Sequence, residues 1–282
     1  MRRRFPIGGR SIRQGAVLVL LAAGSVAAPR AAELPRPVPL RVVAEGFLPQ
    51  RSWQEPVCRL AEAPCGGART PPSLLRAANA AVGTYHAILP GPVLAELRFS
   101  RGQWQLRRRW DFRGHPLALG REEDAATRLF PALYPAGPDR WAVAFQRVRN
   151  EGYAGGGASF SRADFLLLPA EGGAVGADAT LFPEVPFSCS KMVRACFSER
   201  DHRTSRHCHD ESTGSLSIRV VPGPDPAWHD WVLTWQAEDW PSGVGRSGVR
   251  TTSATARLRH GDDAAAVAAR TGSFDFCGGS QE

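Results

Sequence analysis

His202, His207, Cys208, His209 and Asp210 form the densest group of residues able to do chemistry in this chain. On an extended backbone His207 and His209 point to one side and Cys208 to the other. Two imidazoles beside a carboxylate can hold zinc or copper, and an open coordination position would then serve hydrolysis or redox chemistry. The ligand set this spacing suggests is His202, His207, His209 and Asp210, the centre of a metal-dependent enzyme. Two features oppose it. Arg200, Arg203 and Arg206 repel a divalent cation, and a disulfide at Cys208 would remove the thiolate. The leading expectation is a protein without a cofactor, with zinc or copper at this cluster as the alternative.

Two further stretches offer weaker chemistry. Glu151–Ser159 (EGYAGGGAS) holds three consecutive glycines whose N–H groups could cradle an anion, with Tyr153 beside them as a binding residue. Such a run is more simply a turn between strands. Ser188-Cys189-Ser190-Lys191 spells the Ser-x-x-Lys of penicillin-binding enzymes and contains the only lysine. No asparagine follows Asn150, so that family's second motif is missing, and no Gly-x-Ser-x-Gly elbow exists either. The usual serine hydrolases are thereby excluded.

Eight tryptophans complete the inventory. Trp231, Leu233 and Trp235 alternate and read as a core face. Trp228 and Trp240, at the two ends of that strand, are expected to be exposed and able to anchor a sugar ring or a peptide. Arg108 falls on an apolar face formed by Trp104, Leu106, Trp110 and Phe112. It is expected to stack on those rings, to reach a carboxylate, or to escape to water at a strand edge.

The elements that position these groups are mostly strands. Period-two alternation marks Val93–Phe99 and Gln103–Phe112, joined by a hairpin turn at Ser100-Arg101-Gly102. Further strands are expected around Trp141–Phe145, Phe165–Leu168, Leu216–Val220, Trp231–Ala237 and Thr251–Leu258. Helical spacing appears at Ser73–Val82 and Glu122–Leu133. The fold expected is mainly β with a few short helices, built of antiparallel sheets. Glu171–Thr180 is glycine-rich and reads as a linker or long loop. It divides an N-terminal β-rich domain, 28–170, from a C-terminal one, 181–282. Each part has two cysteines with six residues between them and a Trp-bearing hairpin, which suggests two similar β units.

Residues 1–27 have the form of a secretory signal peptide. Five arginines precede a short apolar run from Ala16 to Ala23, and Ser25-Val26-Ala27 fits a cleavage site. The apolar run is too short to span a bilayer, and no transmembrane or lipid anchor is expected. Removing the five early arginines from the 35 basic residues leaves 30 against 27 acidic ones. That balance offers no footprint for nucleic acid. Export to a periplasmic or secreted location makes the six cysteines candidates for three disulfides. A local Cys58–Cys65 bridge is expected, with Cys277 tied back to the 189–208 cluster. The function these features suggest is a non-enzymatic binding or accessory protein, inhibitor-like or immunity-like, whose partner is a protein or a cell-envelope polymer. The alternatives are the metal-dependent enzyme above and a carbohydrate-binding module using the exposed tryptophans.

Overall fold

The computed structural model describes residues 34–50, 52–66, 70–119, 125–205 and 207–278, so the expected signal peptide and Arg206 lie outside the described residues. The strands and helices run β1 (Val38–Val42), α1 (Gln54–Leu60), β2 (Ser73–Ala77), β3 (Thr84–Leu89), β4 (Val93–Ser100) and β5 (Gln103–Asp111), then α2 (Pro116–Leu119). Long strands follow: β6 (Ala125–Gly137), β7 (Arg140–Tyr153), β8 (Gly156–Leu168), the two-residue β9 (Gly173–Ala174) and β10 (Thr180–Arg194). The last elements are α3 (Glu199–Thr204), β11 (His209–Pro222), β12 (His229–Trp240), β13 (Arg250–Leu258) and α4 (Ala264–Thr271). The thirteen strands among the described residues join one sheet in the order β13-β12-β11-β10-β8-β7-β6-β1-β2-β3-β4-β5-β9. Its pairings are antiparallel except β5 with β9, so the sheet is mixed.

Strand β1 is the joint: Val38 and Pro39 pair with β6, while Leu40–Val42 pair with β2. The two wings fold over opposite faces of β6–β8, which explains why those strands are apolar on both sides. Ala142, Ala144, Ala163 and Phe165 face a core shared with Trp231, Leu233 and Trp235. Their neighbours Val143, Phe145 and Leu166 face a second core with Leu94, Trp110 and Phe112. A third core lies under α1, where Trp53 and Val57 meet Leu89, Val93 and Trp104. Trp231 locks the first layer: its Nε1–H donates to the Pro135 carbonyl at 2.9 Å and its ring meets Phe165 edge-on at 4.8 Å. A buried indole of this kind removes about 150–250 Å² from water, roughly 4–6 kcal/mol at 25 cal/mol/Å².

Three disulfides brace the chain: Cys58–Cys65, Cys189–Cys277 and Cys196–Cys208. Gly214 lies where Cys189–Cys277 crosses the sheet, and a side chain there would strike the Trp235 ring and the Cys189 sulfur. The expected pairings of Cys58 with Cys65 and of Cys277 with the later cluster are those found. The shared cysteine spacing is not a shared bonding pattern, because the first pair closes locally while Cys189 and Cys196 each bond elsewhere. Three oxidised pairs fit a compartment that maintains disulfides. Among the described residues no helix is long and apolar enough to cross a membrane.

Several expectations are corrected. Ser73–Ala77 is strand β2, and the described part of Glu122–Leu133 is strand β6. Both runs carry apolar residues at helical spacing, but pairing with β1 overrides the local preference. Residues from Leu34 onward, Glu171–Thr180 among them, form one compact unit. That segment contains β9, and Val175 is buried in the second core. Finally, Trp104 and Trp110 do not share a face. Leu97 pairs with Leu106 but Glu96 with Arg108, leaving Arg107 as an extra residue in β5. One extra residue turns the rest of the strand over, so Trp104 and Leu106 enter the core under α1 while Trp110 and Phe112 enter the second core.

Candidate functional site

The start of β11 is pinned from several sides. Cys208 is bonded to Cys196, and its carbonyl accepts from the Ala195 N–H at 2.9 Å. The His207 carbonyl accepts from the Gly243 N–H at 2.7 Å and the Ser205 hydroxyl at 2.5 Å. From this fixed point the alternation of extended chain carries His207, His209 and Glu211 to one side. One ligand atom from each lies within 4.8 Å of the others, and His207 Nε2 is 3.6 Å from Glu211 Oε1. The His207 side chain is only 8 % exposed, and its Nε2 has no hydrogen-bond partner. Such a nitrogen costs about 1–3 kcal/mol when left unsatisfied, which makes it the most conspicuous polar atom at this end of the sheet.

The four residues read from sequence as a ligand set separate here. His207 and His209 come together as expected. His202, on α3, instead lies with its Nδ1 3.5 Å from Cys208 Sγ. Cys196, His202 and Cys208 are close enough to resemble a metal site, but both sulfurs belong to the disulfide and supply no thiolate. Asp210 points to the other face, where it accepts from the Ser242 N–H at 2.7 Å. There it lines a cavity of about 310 Å³ with Lys191, Ser212, Asp239 and Asp275. Glu211, passed over in the sequence, takes the carboxylate's place. The same period-two argument that pairs His207 with His209 reaches it.

Trp240 and Trp228 are both half-buried, and neither offers a bare ring. His207 stacks on Trp240 with centroids 3.5 Å apart and planes at 3°, and the Arg246 guanidinium lies 4.1 Å from the same ring. Trp228 repeats the arrangement, with His260 at 3.6 Å and 11° and Arg140 at 4.4 Å. Each indole is therefore packed by both an imidazole and a guanidinium. Arg108 satisfies two of its expectations at once, with Nε 2.6 Å from Glu96 Oε2 and its guanidinium 5.4 Å from the Trp110 ring.

Tyr153 closes the β7–β8 hairpin with its hydroxyl 3.1 Å from the Met192 carbonyl. The glycine run is a turn, but a tighter one than expected. Strands continue to Tyr153 and resume at Gly156, where any side chain would collide with the Met192 carbonyl and the Tyr153 ring. This end of the sheet exposes large apolar groups that the sequence did not single out: Met192 is 43 % exposed and Phe197 75 %. Arg194 donates from Nε to the Cys196 carbonyl at 2.7 Å and lies over the Phe197 ring at 5.7 Å.

A cavity of about 660 Å³ opens elsewhere, lined by His115, Asp164, Glu184, His260, Asp262 and Asp263 among others. Burial raises the Asp164 pKa above the usual carboxylate value and lowers that of His115. Its carboxylates are largely engaged. Glu184 receives Arg147 at 2.7 Å on both oxygens, Asp262 pairs with Arg270 at 3.0 Å, and Asp263 caps α4 through the Ala266 N–H at 2.8 Å. Comparison with protein-family models, curated proteins and solved structures finds no match to this chain.

Proposed function

We propose that this chain is a non-enzymatic, exported accessory protein that binds another protein through the end of the sheet where β7, β8, β10 and β11 meet. The observation that carries this reading is the exposed apolar rim of Tyr153, Met192, Phe197 and Val244. Backbone pairing relates three of them: Tyr153 reaches the Met192 carbonyl, and Met192 pairs in register with Glu211, which pairs with Trp240. Trp240 Nε1 in turn donates to the Val244 carbonyl at 2.9 Å. Exposed large apolar groups at one end of a sheet are a mark of protein-binding surfaces. The rim rests on disulfide-pinned backbone, so little order is lost on docking.

Affinity capture from the exported fraction of the source cells tests the reading. The parent protein is expected to retain a stoichiometric protein partner, which a Met192→Asp, Phe197→Asp double variant with an unchanged unfolding midpoint releases. A parent that retains nothing, or a double variant that retains the same partner, would overturn it.

A further inference from the structure

We propose that His207, His209 and Glu211 form a zinc site at the start of β11, distinct from the ligand set that residue order alone suggests. Three observations converge. The donor atoms lie within 4.8 Å of one another, with the closest measured pair at 3.6 Å. Zinc bonds of about 2.0–2.1 Å in a tetrahedron place donors roughly 3.4 Å apart, so only small rotations of His209 and Glu211 are needed. The His207 ring is held in place by its stack on Trp240. The second observation is the His207 Nε2 itself, buried, unpartnered and near the Glu211 carboxylate. The third is chemical: two imidazoles and one carboxylate, spaced i, i+2 and i+4 along extended chain, suit zinc.

Of the described arginines at this end, Arg203 pairs with Glu199 at 3.4 Å, Arg194 is directed at the Cys196 carbonyl and Arg246 at the Trp240 ring. The disulfide at Cys208 removes a thiolate yet fixes the backbone between the two imidazoles.

The test uses the purified, oxidised protein, stripped with a chelator, dialysed against zinc sulfate and counted by elemental analysis. One equivalent is expected in the parent. Affinity is read by competition with a chromophoric chelator. Losing a direct ligand costs at least as much as losing a group that merely orients one, about tenfold to a hundredfold. His209→Ala and Glu211→Ala are each expected to show at least that loss, and the double variant to retain no zinc. His202→Ala is expected to bind as the parent does. Copper(II) gives an independent readout, because an ion on His207 quenches the stacked Trp240, and the quenched fraction should vanish in Trp240→Phe. A parent that retains no zinc, a double variant that keeps the parent's equivalent, or a His202→Ala loss equal to that of His209→Ala would each overturn the site. Both half-exposed ligands can also be changed to glutamine, which keeps their bulk and separates ligand loss from misfolding.

Discussion

Strand β12 begins just after one histidine–tryptophan–arginine stack and ends in another, yet the two are put to different uses. At Trp228 the stacking imidazole, His260, follows β13 in a turn beside the large cavity. The carboxylates next to it in sequence are already engaged by Arg270 and by the first turn of α4. At Trp240 the stacking imidazole, His207, leads into β11, and extended chain brings His209 and Glu211 to the same side. A stack therefore does not make a site. What matters is whether the chain beyond the imidazole has a period of two and groups still free to coordinate.

The largest test of that contrast is the disulfide pinning one stack only. Replacing Cys196 and Cys208 with serine opens a loop of sequence separation 12, expected to cost about 3 kcal/mol. Chemical denaturation checks the loss. If zinc affinity survived intact, the pinned backbone would not be what distinguishes the two stacks.

The tryptophans come next. Trp228 packs against the principal core whereas Trp240 does not. Trp228→Ala is expected to cost about 2–3 kcal/mol and Trp240→Ala about 1 kcal/mol. Equal losses in urea denaturation would show that both indoles serve stability alike. Removing either guanidinium, by Arg140→Ala or Arg246→Ala, should cost less again, about 0.5–1 kcal/mol, measured the same way.

The shallowest effect is one of pH. Burial lowers the pKa of His115, in the cavity wall that His260 shares, and of His229, next to Trp228 in sequence. A histidine whose folded pKa is depressed stabilises the fold fully above its ordinary value of 6.5. That contribution is lost as pH falls below 6.5 toward the folded pKa, because the unfolded chain takes the proton first. Unfolding midpoints should therefore drop on acidification from neutral pH through 6.5, less steeply in a His115→Gln variant. An unchanged slope would remove His115 from the account.

Much of this framework was legible in the residues, and the failures have physical causes. The β4–β5 hairpin could be read because Arg101 and Gly102 occupy a two-residue turn with positive φ, 52° and 77°. The β5 bulge could not, since Arg107 differs in no way from its neighbours Arg108 and Arg109 and only the partner strand reveals it as extra. Strand β6 misled because a strand covered on both faces loses its alternation. Helix α4 carries its start signal in Asp263, whose side chain caps the alanine run that follows. At the candidate site the period of two that joins His207 and His209 extends to Glu211, whereas Asp210, adjacent to His209 in sequence, lies on the other face and accepts from the Ser242 N–H.

The Cys189–Cys277 bond has a consequence in time. Its partners are separated by 88 residues, against 7 for Cys58–Cys65 and 12 for Cys196–Cys208. A ribosome delivers Cys277 only after β10 to β13 and α4 have all been made. The two short loops can close while the chain is still emerging, but Cys189 must wait as an open thiol near Cys196, only seven positions away and spaced like the Cys58–Cys65 pair that does close. During that interval the wrong bridge is the nearest one, and α4 with Phe274 and Phe276 arrives last to seal the core around Trp235. Maturation of this protein should therefore be paced by disulfide exchange at Cys189 rather than by strand pairing, and a disulfide isomerase should accelerate it more than an oxidant does.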